Sequence, residues 1–189
     1  MIMEHETAIS RRNLITALAA VTAISAAGPA LAGEGAIGVD PWRGRALESW
    51  ERMRLESLGE RIKMRLWDTD LEPVMLDNHL RLSLPQSEFF TPGKTDVSHQ
   101  GAALLTLVAE AVDEIRLVRC ELVGHSNPMP SSYEAYMLTR RRAMSALSVL
   151  TSRGIHESRL KATGLGSKWM RYAEGDKRNE RIDMLFRPL

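Results

Sequence analysis

The amino-acid sequence predicts an α/β (α+β) two-layer sandwich, with the element order β-α-β-α-β-β behind an extra N-terminal amphipathic helix. Two observations support this fold class. Segments whose hydrophobicity alternates with a period of two are interleaved with longer segments of helical periodicity. The length of 189 residues suits one domain with its own core and a short appendage.

The first predicted element is an amphipathic helix from about Pro41 to Leu66. Its apolar residues recur at spacings of three and four between arginines and glutamates: Ala46, Trp50, Met53, Leu55, Leu58, Ile62 and Leu66. Such a stripe has to be buried. The sequence leaves open whether it packs on the domain that follows or against another copy of the chain.

A strand pair or a bent strand is predicted between Val74 and Leu84, because apolar and polar residues alternate there on either side of Asp77-Asn78. Pro85 ends this pattern. The passage from Phe89 to Lys94 is rich in turn residues and connects the strand to the next helix.

Ser98 is predicted to cap a helix whose apolar face extends to Ile115. A strand over Val118 to Leu122 follows, and it carries Gly124-His125 to its end. The alternation of apolar and charged residues in this strand places the single cysteine, Cys120, on the apolar side, as a small core residue.

A second helix is predicted from about Ser132 to Arg153, and it ends at Gly154, where a left-handed cap is favoured. Leu160 to Gly164 is predicted as a short strand, and Glu180 to Arg187 as the final one.

Residues 1–32 are interpreted as an export signal. Ser10-Arg11-Arg12-Asn13-Leu14 precedes an apolar run too short to cross a bilayer comfortably, and Ala30-Leu31-Ala32 suits a signal peptidase. The paired arginines favour a twin-arginine signal and a periplasmic location, against an ordinary Sec signal or an uncleaved anchor. After cleavage no membrane span is expected to remain. Residues 33–40 are predicted to form a flexible leader, 41–72 the helix and its connection, and 73–189 the main domain.

Composition argues against several other classes of protein. The formal net charge is +1, so the basic excess typical of a nucleic-acid partner is missing. His79, His99 and His156 are scattered singly, which gives no support to a metal site, and no cofactor is predicted. His125 has no serine, cysteine or aspartate at a recognisable catalytic spacing, so an enzyme is not predicted and His125 is expected to be a buried hydrogen-bonding residue.

Five short motifs occur in a characteristic order in the last third of the chain: Gly124-His125-Ser126-Asn127, Leu138 to Ala143, Gly154 to Leu160, Gly164-Leu165-Gly166 and Asn179 to Asp183. Together they resemble the peptidoglycan-associating OmpA-like domain of outer-membrane protein A, the Pal lipoproteins and the MotB stators. The resemblance covers about Val74 to the C-terminus. It implies a non-catalytic domain that binds diaminopimelate in the stem peptide of peptidoglycan.

The resemblance also implies which residues would contact that ligand. Diaminopimelate presents a carboxylate and an ammonium group, which an arginine fork and an acidic acceptor can recognise. Arg142 occupies the arginine position of the helical motif, and Arg181 keeps the second arginine of the last motif. Ser126 and Thr91 stand at further positions expected to line the ligand site.

Three departures from the family pattern affect the half of the site that reads the ammonium group. The family aspartate is Asn127 here, a polar residue is replaced by Ala135, and an acid is replaced by Thr91. Loss of charge assistance at Asn127 would cost about 1 to 3 kcal/mol, or roughly tenfold to a hundredfold in affinity, if nothing compensates.

Some exposed residues suggest protein partners instead. Trp169 and Tyr172 could stack on a sugar or anchor a partner, or could simply pack over the sheet edge, and Trp50 lies on the N-terminal helix, a possible surface for partners or self-association. Arg140 and Arg141 are interpreted as a solvated basic turn that pairs with Glu134 or Glu157. The alternative to peptidoglycan association is therefore an adaptor in an envelope-spanning assembly whose inherited groove no longer binds peptidoglycan.

Overall fold

A computed structural model describes residues 44–189. Residues 1–43 lie outside the described residues, and with them the predicted twin-arginine signal, the leader and the first residues of the predicted helix. The described elements, in chain order, are α1 (Ser49–Arg65), β1 (Val74–Met75), β2 (Leu80–Pro85), α2 (Gln86–Phe89), α3 (His99–Glu114), β3 (Val118–His125), α4 (Ser132–Ser152), β4 (Leu160–Gly166) and β5 (Arg181–Pro188). Single 3-10 turns occur at Glu157–Arg159 and Lys177–Asn179.

The five strands form one sheet in the order β1-β2-β5-β3-β4. Strands β3 and β4 are parallel, and the other neighbouring pairs are antiparallel. Alternate residues of β2, namely Leu80, Leu82 and Leu84, share one hydrophobic core with the inner faces of α1, α3 and α4. The predicted mixed α/β fold is confirmed, and the strand pair predicted between Val74 and Leu84 is the β1–β2 pair.

The N-terminal helix is shorter than predicted. Helix α1 begins at Ser49, because the backbone N–H of Glu48 donates to the Glu51 carboxylate (2.8 Å) and closes the first turn there. The guanidinium of Arg45, in the non-helical segment before it, contacts the same carboxylate at 2.5 Å. The prediction that residues 44–48 are helical was therefore wrong.

The apolar stripe of α1 is only partly buried. Its C-terminal part, Leu55, Leu58, Ile62 and the capping Leu66, belongs to the core of the same domain. Trp50 and Met53, which the sequence pattern assigned to the same stripe, are 53% and 67% exposed. Helix α1 is thus an extra layer on this domain, and its first turn presents apolar side chains to solvent.

The predicted caps are confirmed. The Ser98 hydroxyl accepts a hydrogen bond from the backbone N–H of Gly101 (3.0 Å) at the start of α3. Gly154 has a φ of +93°, the left-handed conformation expected just after α4. Cys120 is buried in the core, and this burial raises the pKa of its thiol.

Two glycines let the backbone of α4 touch the sheet directly. A Cβ atom on Gly124, in β3, would lie 2.3 Å from the carbonyl oxygen of Thr139. One on Gly164, in β4, would lie 2.5 Å from the carbonyl oxygen of Tyr136. Only glycine fits at such a close approach. The position of α4, and with it the position of Arg142, is therefore fixed against β3 and β4.

Among residues 44–189, none of the helices combines the length and the apolar character that crossing a membrane requires.

Candidate functional site

Arg142 lies in a groove between α4 and the segment that follows β2. Its Nε donates to the carbonyl of Lys94 (3.2 Å), its Nη1 donates to the side-chain oxygen of Gln86, and its guanidinium carbon is 5.7 Å from the centroid of the Phe90 ring. These four residues, Gln86, Phe90, Lys94 and Arg142, are called the Arg142 groove below. Helix α4 turns Arg142 toward this groove and leaves Arg140 and Arg141 exposed.

The guanidinium of Arg142 is half-buried and keeps one free side. Burial lowers its pKa, and the nearby charge of Glu180 opposes that shift. No residue between 44 and 189 accepts a hydrogen bond from its Nη2 nitrogen. A held guanidinium with an unused N–H edge is suited to bind a carboxylate.

Gln86 connects the groove to the end of β3. Its side-chain nitrogen donates to the carbonyl of His125 (2.8 Å), while its oxygen accepts from Arg142. Gln86 itself is buried on the short helix α2, directly after Pro85. The side-chain amide therefore orients Arg142 with respect to the sheet.

Asn127 does not offer a free acceptor. Its Nδ2 donates to the backbone carbonyl of Asp176 (3.0 Å), and its Oδ1 accepts from the backbone N–H of Gly175 (3.0 Å) and from Nδ2 of Asn179 (3.2 Å). Both polar atoms of the side chain thus hold the segment of residues 171–179, called the 171–179 loop below. The ligand-binding assignment of Asn127 stays a prediction.

Asn179 holds the same loop from inside. It is fully buried, and its Oδ1 accepts from the backbone N–H groups of Arg171 (3.1 Å) and Tyr172 (3.0 Å). Its Nδ2 also donates to the carbonyls of Tyr172 (3.1 Å) and Ala173 (2.9 Å). Two asparagine side chains therefore determine the shape of the 171–179 loop.

Arg181 is a buried residue with protein partners. It is 4% exposed, and its Nε and Nη2 donate to Asp183 (3.2 Å) and to the carbonyl of Trp169 (3.1 Å). Burial, only partly offset by Asp183, lowers its pKa to about 10. The direct role of Arg181 on a ligand carboxylate stays a prediction, and much of its hydrogen-bonding capacity serves the protein.

Asp183 lies at the centre of a polar cluster. His125 Nε2 lies 3.0 Å from its Oδ2, Arg171 Nη2 donates at 2.6 Å, and the Ser83 hydroxyl donates to Oδ1 at 2.7 Å. Burial by itself raises the pKa of Asp183, but the His125 hydrogen bond and the charges of Arg181 and Arg171 outweigh it and hold the pKa far below its usual value. Burial lowers the pKa of His125, so its imidazole is neutral near pH 7. His125 is thus the buried hydrogen-bonding residue predicted from the sequence.

The remaining predicted contact residues are spread over the domain. Thr91 lies next to the Arg142 groove, because its carbonyl accepts from the Lys94 N–H (2.9 Å) in the turn that binds Arg142. Ser126 is buried at the end of β3, and its backbone N–H donates to the Gly166 carbonyl (2.9 Å). The structure brings Thr91 to Arg142 but leaves Asn127 facing the 171–179 loop.

The aromatic residues predicted as partner contacts occupy two different surfaces. Trp169 is half-buried, and Tyr172 is 39% exposed with the Arg178 guanidinium carbon 3.9 Å from its ring centroid. Trp50 lies on α1, where the Arg54 guanidinium carbon is 5.1 Å from its ring centroid.

Two basic residues in the middle of α4 lack the ion pairs expected from the sequence. Arg140 and Arg141 are exposed, and within the described part of the chain neither forms an ion pair with Glu134 or Glu157, so that expected pairing was wrong. Exposed ion pairs contribute little free energy in water, so nothing requires these charges to meet.

Over residues 44–189, histidine, cysteine and acidic side chains form no group of three or more that could hold a metal ion.

Sequence reasoning did not identify Gln86, Asn179, Asp183 and Arg171 as residues that organise the site. Asn179 and Asp183 belong to the last of the five motifs, so that motif could have indicated them. Gln86 and Arg171 stand outside all five motifs, and their partners are distant in sequence: Ser83, for example, is 88 residues from Arg171.

The sequence profile of the OmpA family matches residues 89–182, which include α3, β3, α4 and β4. The probable lipoprotein YiaD of Escherichia coli is 26% identical over 133 residues, covering 68% of this chain and 60% of that protein. The chain therefore spans less than two thirds of the length of this relative.

Several solved structures share the fold. A putative MotB-like protein from Desulfovibrio vulgaris has a TM-score of 0.66 at 17% identity, covering 74% of this chain and 95% of that one. The periplasmic domain of Helicobacter pylori MotB has a TM-score of 0.56 at 19% identity, covering 61% and 87%. The cell wall anchor of the T6SS from Pseudomonas aeruginosa has a TM-score of 0.58 at 19% identity, covering 69% and 99%.

Proposed function

We propose that this protein is a non-catalytic periplasmic protein that associates with peptidoglycan through Arg142. Its residues 89–182 match the OmpA family, which supports an OmpA-like domain. The observation that carries the proposal is the Arg142 groove. Gln86, Lys94 and Phe90 hold the guanidinium in place, and its Nη2 edge has no acceptor within the described residues. That edge is available to a carboxylate of the peptidoglycan stem peptide.

Proteins of the same fold support this cellular setting. One solved neighbour is described as a periplasmic domain of MotB and another as a cell wall anchor of the T6SS. We further propose that residues 1–32 are a twin-arginine signal. Replacing Arg11 and Arg12 together by lysine should then retain the protein in the cytoplasm, and normal export of that variant would contradict the proposal.

The proposed binding is weaker than that of a site with an acidic residue at position 127. Asn127 carries no charge, and its side chain already bonds Gly175, Asp176 and Asn179. A ligand ammonium would have to compete with these three hydrogen bonds. We therefore expect recognition to depend mainly on the carboxylate that meets Arg142.

Co-sedimentation of the purified chain with isolated sacculi tests the proposal. The wild type should pellet with sacculi, Arg142→Ala should remain in the supernatant, and Arg141→Ala should behave like the wild type because Arg141 is exposed and points away from the groove. If the wild type stays in the supernatant while Asn127→Asp pellets, the wild-type protein does not bind the wall. The inherited groove would then have lost peptidoglycan binding.

A second candidate function, a protein-binding adaptor, is favoured by the outer face of α1. Trp50, Met53 and Met64 are each more than half exposed, as is Trp67 just after the helix, and they recur at helical spacing. If this face binds a partner, a chain carrying both Trp50→Ala and Met53→Ala should lose a cross-link formed in periplasmic extract while keeping its fold. A cross-linking pattern unchanged in that variant would argue against the adaptor.

A further inference from the structure

A second cleft, distinct from the Arg142 groove, lies on the face of the sheet that does not carry the helices. On β2, Arg81 and Ser83 alternate with the core leucines and therefore point to this face. The 171–179 loop and Arg181 form the other wall, and the volume of this open cleft is about 460 Å³. This open-face cleft shares no lining residue with the Arg142 groove and falls in the size range of sites for small molecules.

The charged residues that line the open-face cleft are mostly cationic. Arg81, Arg171, Lys177, Arg178 and Arg181 contribute to it, against two carboxylates, Asp70 and Glu72. The overall formal charge of the chain is only +1, so this concentration of positive charge is local. An excess of one sign of charge in a cleft focuses the field and attracts ligands of the opposite sign.

Three of the five cations already have partners. Arg171 and Arg181 both bind the buried carboxylate of Asp183. Arg178 pairs with Asp176 at 2.6 Å and stacks on Tyr172. Within residues 44–189, Lys177 and Arg81 form no ion pair and no side-chain hydrogen bond.

Arg81 is the more informative of the two, because it is not fully solvated. Its side chain is half-buried, and burial lowers the pKa of its guanidinium. The repulsion from Arg171 adds to this effect, and the charge of Asp183, which already binds two other arginines, offsets it only in part. Neither Asp70 nor Glu72 comes within ion-pair distance of it. A partly desolvated charge without a directly paired counter-ion is unfavourable, and an anion bound in the cleft would relieve that cost.

We propose that the open-face cleft binds a small molecule that carries at least two carboxylate or phosphate groups, with Arg81 and Lys177 as its direct contacts. Arg81 offers a fork of N–H donors from the floor of the cleft, and Lys177 offers an ammonium from the loop wall. Tyr172, Val74 and Pro85 supply an apolar surface for the body of the ligand.

Calorimetric titration of the full chain in about 150 mM salt tests this proposal, with pyrophosphate and citrate as the probes. At least one probe should bind with a dissociation constant below about 1 mM. Arg81→Gln and Lys177→Gln should each weaken that binding by about tenfold or more, and the exposed, distant Arg116→Gln should leave it unchanged. Binding of pyrophosphate alone identifies a phosphate ligand, and binding of citrate alone identifies a carboxylate ligand.

Absence of binding by both probes, or equal binding by Arg81→Gln and the wild type, would overturn the proposal. Because Arg81 is half-buried, its substitution can lower stability as well as binding. The unfolding midpoints of all variants are therefore compared before the titrations. Lys177→Gln keeps the test decisive should Arg81→Gln fail to fold, because Lys177 is exposed. Arg142→Ala should retain probe binding, which separates this site from peptidoglycan association.

Discussion

Asn127 donates its side-chain amide to the backbone carbonyl of Asp176 at 3.0 Å, and this hydrogen bond joins the end of β3 to the 171–179 loop. An aspartate at position 127 could not make it, because an ionised carboxylate has no donor. The residue that departs from the family pattern is therefore part of the loop that forms one wall of the open-face cleft.

Removing the Asn127 side chain should loosen this loop. Asn127→Ala deletes three hydrogen bonds, so we expect the free energy of unfolding to fall by about 2 kcal/mol and the Gly175 amide to exchange faster with solvent. Asn127→Asp keeps the acceptor for Gly175 and should retain most of that protection. Hydrogen exchange measured by NMR distinguishes the three proteins, and identical Gly175 exchange in all of them would show that the loop is held by other contacts.

Replacing Gly124 should destabilise the domain far more than replacing a glycine that has room. A methyl group on Gly124 would lie 2.3 Å from the Thr139 carbonyl, and the strain should cost about 3 kcal/mol. Gly59 in α1 provides the control, because its added Cβ would lie at an ordinary 3.4 Å from Leu80. Gly59→Ala should raise helix stability by about 0.5 to 1 kcal/mol. Urea denaturation compares the two, and equal effects would contradict the close approach of α4 to β3.

Acid should destabilise the protein in two steps that originate in one cluster. The folded-state pKa values of His125 and Asp183 both lie below their ordinary values, so the unfolded chain binds more protons and stability rises with pH. The contribution of His125 is complete above about pH 6.5 and is lost as the pH falls below it. The contribution of Asp183 is complete above about pH 3.9 and is lost at still lower pH.

Stability measured against pH checks this assignment. Each group can contribute a slope of at most about 1.4 kcal/mol per pH unit. His125→Gln should reduce the loss of stability between pH 7 and pH 5, because glutamine does not titrate there. The glutamine amide can still donate a hydrogen bond to Asp183. A profile in which His125→Gln and wild type are parallel would contradict the role of His125.

The two faces of α1 should respond differently to truncation. Leu58 is fully buried, so Leu58→Ala should cost about 2 to 5 kcal/mol of unfolding free energy. Trp50 is 53% exposed, and Trp50→Ala should change stability by less than about 0.5 kcal/mol. Thermal denaturation followed by circular dichroism is sufficient, and a neutral Leu58→Ala would mean that α1 is not part of the core.

Much of the fold could be predicted because its determinants are local. The alternation of β2, the Ser98 cap and the left-handed Gly154 depend on neighbouring residues, and the structure has each of them as expected. The predicted start of α1 was wrong because the Glu51 carboxylate accepts a hydrogen bond from the Glu48 backbone N–H and closes the first turn there. Hydrophobic periodicity does not detect such a specific hydrogen bond.

The site was harder to predict because its partners are distant in sequence. The register of the helical motif placed Arg142 on the packed side of α4, as observed. The surroundings of Arg181 could not be derived in the same way, since its partners include the carbonyl of Trp169, and Asp183 is shared with His125 and Arg171.

The position of β5 in the sheet has a consequence for synthesis. It is the last strand along the described chain but the central one in the sheet, and it pairs with β2 on one side and β3 on the other. Until the ribosome has released Arg181–Pro188, both of those strands keep an unpaired edge. Formation of the native sheet must therefore wait until β5 has left the ribosome. A nascent chain stalled before β5 would be a substrate for chaperones and proteases instead of a partly folded domain.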